Sequence, residues 1–282
     1  MPVFTVGCEL GYRVAVPTPF VFNVEAAQAA SQRVLTEQLT LTPETPIERW
    51  QMPESSNRYL RFLANEGDLR VRYDAKVELA QAVFDPLTVG EIVAAELPLE
   101  VLTHLYPSRY CQSDRLTQVA RRTFGDLAPG YQRINAICNW ICDNVEYESG
   151  SSDVLTSACD TLIERAGVCR DFAHLGIALS RALGVPARYV SAYAYRLDPP
   201  DFHAVFEAYL SGPSGFAWYL FDPTRKSDPT GLVRIGIGRD AAEVAFCTPF
   251  GDVEFDKPEV WITSDGDATV PITTEAVVAE SR

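Results

Sequence analysis

Three side chains in the C-terminal half of the chain could carry out nucleophilic chemistry: Cys169, His203 and Asp222. Cys169 stands two residues after Gly167, at the start of an apolar segment with helical spacing. The first turn of a helix has unpaired N–H groups and a partial positive charge, and both favour a thiolate over a thiol. The same N–H groups could donate to an oxyanion formed beside the sulfur. This placement predicts that Cys169 is a nucleophile.

A thiolate nucleophile usually needs a base and a group that orients the base. The chain has three histidines, His104, His174 and His203. His174 lies five residues after Cys169 on the same predicted helix and would project to a different side, which favours a packing role. His104 falls in a passage without a clear period. His203 begins the strand-like segment HAVFEAYL and could reach from a sheet to the helix N-terminus, so His203 is the predicted base.

Asp222 ends the next strand-like segment, FAWYLFDP. If residues 203–210 and 217–222 pair as a hairpin through SGPSG, the start of the first strand lies opposite the end of the second. Asp222 would then lie beside His203, as the orientation of an imidazole requires. Each residue has a structural alternative, since a cysteine in an apolar helix is usually a core residue. Their agreement in order and geometry places a catalytic triad on an equal footing with these structural roles.

The elements that precede these residues predict two domains. Residues 1 to about 105 are expected to form an antiparallel β-sandwich, because short β-branched or aromatic segments alternate with turn-forming residues. The segments are GYRVAV, VFNVEA, RVLTEQLTL, RYLRFLA, LRVRYDAKVELA and the stretch near Trp50. Residues 88–108 contain prolines and show no clear period. We place the boundary there, which gives domains 1–105 and 106–282.

The second domain is expected to be α+β, with helices packed on an antiparallel sheet. Its predicted helices lie in LTQVARRTFGDL, GYQRINAICNWICDNVEY, TSACDTLIERAG and VCRDFAHLGIALSRALG. The third begins with a cap at Thr156 or Ser157 and has Gly167 just past its end, and the fourth is terminated by Gly184 and Pro186. The strand-like segments RYVSAYAYRL, HAVFEAYL and FAWYLFDP follow.

Charge and hydropathy limit the classes of function. The chain has 282 residues, 38 acidic and 24 basic, with a net charge of −14. Such a surface repels phosphate backbones and anionic lipids, which argues against nucleic acid and membrane as partners. No segment approaches the roughly 18 consecutive apolar residues of a membrane span, and the N-terminus lacks a secretory-signal pattern. We expect a cytoplasmic protein that acts on a peptide or protein, and self-association through sandwich edge strands is a further option.

The seven cysteines are odd in number and irregularly spaced, so a disulfide framework is not expected. Cys138 and Cys142 would share a helix face, but a metal site needs further ligands, and none follows at finger-like spacing. Buried free thiols are the favoured interpretation. No calcium loop of the D-x-D-x-D-G type is present. We expect no metal and no cofactor.

Four segments resemble the transglutaminase-like superfamily of papain-type folds: GVCRDFAHL (167–175), RALGVPARYVSAY (181–193), HAVFEAYL (203–210) and FDPT (221–224). The segment GRDAAEVAF (238–246) is similar to one that often follows the aspartate in bacterial members. The resemblance implies a papain-like α+β catalytic domain with Cys169, His203 and Asp222 in the triad positions. In those proteins an N-terminal β-sandwich commonly precedes the catalytic domain.

The resemblance leaves two features of the site open. Many relatives carry Trp directly after the His-Ala of the motif, where this chain has Val205, which leaves the details of the substrate groove open but not the acid–base chemistry. The family's second oxyanion donor is a side chain upstream of the cysteine. Gln112, Tyr147 and the Ser151/Ser152 loop are all candidates.

Arg170 and Asp171 follow the nucleophile directly and allow two interpretations. They could form a charged rim that selects substrate or ties the helix start to a neighbour. A solvated or salt-bridged first turn is favoured, because an acidic residue is stabilising near a helix N-terminus.

The sequence therefore predicts a thiol acyl-transfer enzyme that acts on amide bonds of peptides or proteins. Hydrolysis by a cysteine protease or amidase is preferred over amine transfer, because water is abundant and no acceptor tunnel can be identified. The alternatives are a catalytically silent peptide-binding scaffold, a cross-linking transglutaminase and a metal-binding or redox protein.

Overall fold

The computed structural model describes residues 1–264 and 275–281. The first strands are β1 (Val3–Val14), β2 (Thr18–Phe22), β3 (Gln32–Thr42), β4 (Glu48–Gln51), β5 (Arg58–Ala64), β6 (Gly67–Leu79) and β7 (Ala82–Phe84). The helical part comprises α1 (Ser113–Phe124), α2 (Tyr131–Asn144), β8 (Glu146–Tyr147), α3 (Ala158–Glu164), β9 (Ala166–Gly167) and α4 (Cys169–Ala182). The later strands are β10 (Ala187–Ala194), β11 (Phe202–Gly212), β12 (Gly215–Phe221), β13 (Leu232–Gly238), β14 (Cys247–Pro249), β15 (Val253–Phe255), β16 (Glu259–Ser264) and β17 (Ala276–Ser281).

The N-terminal region is the predicted β-sandwich. In one sheet β1 pairs with β6 on one side and with β15 and β16 on the other, and β3 lies at the edge beside β6. The other sheet has the order β14-β2-β5-β4. Buried and outward-facing side chains alternate along β6, as the two-residue period of a strand requires. The core between the sheets is rich in aromatic rings, including Phe4, Phe20, Phe62 and Tyr73.

The C-terminal region is built on a six-stranded antiparallel sheet of order β13-β10-β11-β12-β17-β7. Helix α4 packs on β10 and β11 from one side, with α1, α2 and α3 around it. The opposite face is covered by short 3-10 helices from the linking passage, including Leu99–Leu105. Every residue of β10 is buried, because both faces of the sheet are covered. The α+β fold class is confirmed.

Strands cross the predicted domain boundary in both directions. β14, β15 and β16 come from the end of the chain, yet they pair with β2 and β1 of the sandwich. β7 precedes the boundary and pairs with β17 in the C-terminal sheet. The division into residues 1–105 and 106–282 stays a prediction, and so does self-association through edge strands of the sandwich.

Two buried amide side chains join the regions by imitating a strand. Gln32 bonds to the backbone of Arg234 through both ends of its amide, accepting from N at 2.7 Å and donating to O at 2.9 Å. Asn57 does the same with Ile237, at 2.9 and 2.7 Å. Both contacts fall on β13, the edge strand of the C-terminal sheet. They satisfy backbone groups that would otherwise be buried without partners.

No helix in the described ranges is long and apolar enough to cross a membrane.

Candidate active site

The segment that delivers Cys169 is a helix, a two-residue strand and a second helix. Ser157 caps α3, as predicted, and Asp160 completes the capping box. The expectation that Gly167 directly follows this helix is wrong: Arg165 ends it in the left-handed region, at φ 59°. Gly167 instead lies in β9, which pairs in parallel with β8. Cys169 then begins α4 and is half-buried.

The first turn of α4 is held by an ion pair. Asp171 is fully buried; its Oδ2 accepts from the Val168 N–H at 2.9 Å, and its Oδ1 lies 3.0 Å from the Arg170 guanidinium. Arg170 also donates to the carbonyl of Asp153. The expected salt bridge in the first turn is present, and the bond from Arg170 to Asp153 also ties the helix start to a neighbouring loop, as the other interpretation allowed. These contacts hold the backbone beside Cys169 in one conformation.

The predicted hairpin is present and brings the other two residues together. β11 and β12 pair with Phe206 opposite Phe221. Asp222 is the first residue past β12, so its position is diagonal to His203, a spacing that longer side chains can bridge. His203 Nε2 lies 3.0 Å from Asp222 Oδ2. An ionised carboxylate only accepts, so the Nε2 proton belongs to this bond.

Asp222 is held by two residues that the sequence interpretation missed. Thr224 donates to Oδ1 from its N–H at 2.9 Å and from its hydroxyl at 2.7 Å. Ser227 donates to Oδ2 in the same two ways, at 2.9 and 2.7 Å. A Thr two residues after an Asp is typical of a side-chain-closed turn, so DPT was a usable signal. Nothing local marks Ser227.

The electrostatics of the pair favour a charged imidazole. Burial by itself would lower the pKa of His203, but the Asp222 carboxylate and then the Cys169 thiol outweigh it and raise that pKa well above its ordinary value. Burial would likewise raise the pKa of Asp222. The His203 imidazole and the hydroxyls of Ser227 and Thr224 instead hold it below the usual range.

The second ring nitrogen of His203, Nδ1, is available to the Cys169 sulfur. Nδ1 is buried, and within the described part of the chain it has no hydrogen-bond partner of standard geometry. The Cys169 sulfur is near enough to raise the pKa of His203 by hydrogen bonding and, as a thiolate, by its charge. Because Nε2 is bonded to Asp222, Nδ1 is the atom that can exchange a proton with Cys169.

The other two histidines pack, as expected for His174. Its ring lies between Tyr110 and Tyr189, with centroids 5.0 and 5.2 Å away, and Nε2 accepts from the Ala241 N–H at 3.2 Å. Burial lowers the pKa of His174 to about 3. His104 packs edge-on against Trp218 at 5.1 Å.

All seven cysteines are free thiols. Cys138 is buried and Cys142 is half-buried on α2. In residues 1–264 and 275–281, no cluster of three or more His, Cys, Asp or Glu side chains is arranged to hold a metal ion.

The candidates for a second oxyanion donor lie in different places. Gln112 precedes α1, and the adjacent Ser113 lines a cavity with Arg181 and Leu183 at the far end of α4, about 20 Å along the helix from Cys169. The Ser151 hydroxyl donates to the Glu148 carbonyl within its own loop. Tyr147 lies beside Gly167 in the β8–β9 pair.

Comparison with known proteins agrees with this geometry. The family described as "Transglutaminase-like superfamily" matches residues 117–223, and the family described as "Bacterial transglutaminase, N-terminal domain" matches residues 2–98. A crystal structure of a candidate cysteine protease from Cytophaga hutchinsonii is 41% identical and superposes with a TM-score of 0.93, over 98% of this chain and 97% of that one. The chain belongs to the transglutaminase-like superfamily.

Relatives of this transglutaminase-like protein also occur in mycobacteria. An uncharacterised protein of Mycobacterium leprae is 24% identical over 258 residues, which are 83% of this chain and 90% of that protein. One from Mycobacterium tuberculosis is 33% identical over 144 residues, 47% of this chain and 46% of that protein. The family and the Cytophaga structure support a function of the thiol-enzyme type.

Proposed function

We propose that this protein is a thiol hydrolase that cleaves amide bonds of peptides or proteins, with Cys169 as nucleophile, His203 as acid and base, and Asp222 as the orienting carboxylate. One observation carries the proposal. His203 binds Asp222 through Nε2, at 3.0 Å. Its Nδ1 has no hydrogen-bond partner of standard geometry among the described residues, and Cys169 begins α4. This division of the two nitrogens matches what a base and its orienting group require.

The reaction would proceed in two halves. The Cys169 thiolate attacks the amide carbonyl carbon, and the carbonyl π electrons move to oxygen to form a tetrahedral oxyanion. Collapse breaks the C–N bond while His203 gives its proton to the leaving amine, which leaves a thioester. Water then attacks the thioester, His203 takes its proton, and collapse releases the acid and the thiolate.

Hydrolysis is preferred to amine transfer because water is the abundant acceptor. The test is digestion of a mixed peptide library by wild type and by Cys169→Ala, read by mass spectrometry. We expect new peptide termini with wild type only. Casein with dansylcadaverine tests the alternative acceptor, and incorporation of the amine without new termini would favour a cross-linking enzyme.

Thiol reactivity separates an enzyme from a silent scaffold. We expect iodoacetamide to alkylate one thiol rapidly at pH 6, with the fast phase absent from Cys169→Ala and slowed in His203→Ala. Seven thiols that react uniformly slowly would contradict the enzymatic role. Mapping the modified peptide assigns the fast phase to Cys169.

A further inference from the structure

Tyr147 is carried to the nucleophile by the short β8–β9 pair. It stands in register with Gly167, two residues before Cys169. Backbone bonds on either side secure this register: Glu146 N donates to Arg165 O at 2.8 Å, and Glu148 N donates to Gly167 O at 3.0 Å. The Tyr147 backbone is therefore fixed against the segment that leads into α4.

The Tyr147 ring is also held by its surroundings. Lys226, from the loop that binds Asp222, places its Nζ 4.6 Å from the ring centroid. Phe172, less than one turn after Cys169, packs its ring at 5.7 Å. The ring is thus supported by both the nucleophile helix and the loop that orients the acid, while the side chain remains 40% exposed.

The register with Gly167 and the packing on Phe172 bring the Tyr147 side chain to the first turn of α4, where Cys169 stands. Burial raises the pKa of Tyr147, and so does the Cys169 thiol, while the Cys169 backbone N–H opposes this shift. The phenol therefore keeps its proton at neutral pH and can donate a hydrogen bond. A phenol whose backbone pairs with Gly167 and whose ring packs on Phe172 borders the first turn of α4, where an oxyanion on a carbon bonded to the Cys169 sulfur must form.

We propose that Tyr147 is a catalytic residue whose hydroxyl donates the second hydrogen bond to the oxyanion, opposite the backbone N–H of Cys169. This inference rests on the proposed acyl-transfer function. It selects Tyr147 over Gln112 and the Ser151/Ser152 loop. It also makes a chemical distinction: acylation passes through an oxyanion, whereas alkylation by direct displacement does not, so only acylation depends on the donor.

The experiment compares two reactions of the same thiol in Tyr147→Phe. Acylation is measured as the burst of nitrophenolate from 4-nitrophenyl acetate, and alkylation as the fast reaction with iodoacetamide, with the Cys169→Ala background subtracted from each. We expect the ratio of acylation to alkylation rates to fall at least about tenfold in Tyr147→Phe. Tyr106→Phe, which removes a hydroxyl from a side chain that is 59% exposed, should keep the wild-type ratio.

Three outcomes overturn the inference in distinguishable ways. An unchanged ratio in Tyr147→Phe refutes the donor role while leaving the enzyme intact. A fall of the ratio in Ser152→Ala instead assigns the donor to the serine loop. A wild-type burst no larger than that of Cys169→Ala removes the proposed function and the inference together.

Discussion

The sandwich and the C-terminal sheet differ in where their ion pairs lie. On the sandwich, ion pairs such as Arg33–Glu78 lie on the surface, where the side chains are 71% and 21% exposed. In the C-terminal sheet, Arg188 and Glu207 pair with 7% and 0% exposure. Glu25, which pairs with Arg58, is the buried exception in the sandwich. Taking a charge out of water costs several kcal/mol, and only well-placed partners offset that cost, so the buried charges of the C-terminal sheet depend on their partners.

Two buried networks in the C-terminal sheet differ in completeness. Glu207 bonds through one oxygen to Arg188 and through the other to Arg234. His203, by contrast, is bonded at Nε2 and has Nδ1 without a standard hydrogen bond in the described part of the chain. The Glu207 network, in which both oxygens are bonded, has a structural role. A ring nitrogen without another hydrogen bond, beside a thiol, is what a proton-transfer group needs.

Loss of Asp222 should have the largest effect. In Asp222→Ala the imidazole loses its orienting bond and its charge partner, and we expect turnover to fall about 10³-fold or more. Asp222→Asn keeps a hydrogen-bonding side chain without the charge, so its turnover should lie between that of wild type and that of Asp222→Ala. Steady-state rates on a cleaved library peptide measure both. Equal activity of Asp222→Ala and wild type would remove Asp222 from the mechanism.

The same pair should give a signature in stability against pH. The raised pKa of His203 adds stability that is complete below the ordinary imidazole pKa of about 6.5 and is lost as pH rises through the folded value. The lowered pKa of Asp222 adds stability that is complete above the ordinary carboxyl pKa of about 3.9 and is lost as pH falls through the folded value.

The free energy of unfolding of wild type should therefore exceed that of Asp222→Asn by about 3 kcal/mol between about pH 4 and 6.5, where the difference is largest. Urea unfolding across pH measures the difference. A difference that does not vary with pH would contradict the ion pair.

Glu207→Gln should damage folding rather than chemistry. The change leaves two buried guanidinium groups with less negative charge, and we expect a loss of about 3 kcal/mol in the free energy of unfolding. Activity per folded molecule should stay near that of wild type, measured by active-site titration with labelled iodoacetamide. A selective loss of turnover at full stability would place this network in the mechanism.

Asn57→Ala tests the joint between the two regions. It leaves the backbone N–H and C=O of Ile237 without partners, so we expect a loss of about 1–3 kcal/mol. Hydrogen exchange should rise at β13 more than at β11. Hydrogen exchange that rises equally in all strands would show that Asn57 does not stabilise β13 locally.

Glu78→Gln gives the smallest expected effect and sets the scale for the sandwich. Because its partner Arg33 is mostly exposed, we expect a change below about 1 kcal/mol that shrinks further in salt. Denaturant unfolding at low and high ionic strength measures it. A loss as large as that of Glu207→Gln would remove the contrast between the regions.

Periodicity and local chemistry predicted most of the elements. The alternation in LRVRYDAKVELA, the start of a helix at Cys169 and its end near Gly184, and the hairpin at SGPSG all appear in the structure. These signals are local, since a strand period, a helix end and a turn depend on neighbouring residues. Local signals failed at Arg165, whose left-handed conformation was expected of a glycine.

The sequence alone determined the order of Cys169, His203 and Asp222 and the type of element that carries each, because both follow from short-range patterns. Only the tertiary structure decided that Nε2 rather than Nδ1 meets Asp222, that Ser227 secures that carboxylate, and that Tyr147 packs on the first turn of α4. It also decided that β14–β16 return to the sandwich. The reason is physical: such contacts join residues distant in the chain, and their geometry depends on strand register and side-chain packing, which short-range periodicity does not encode.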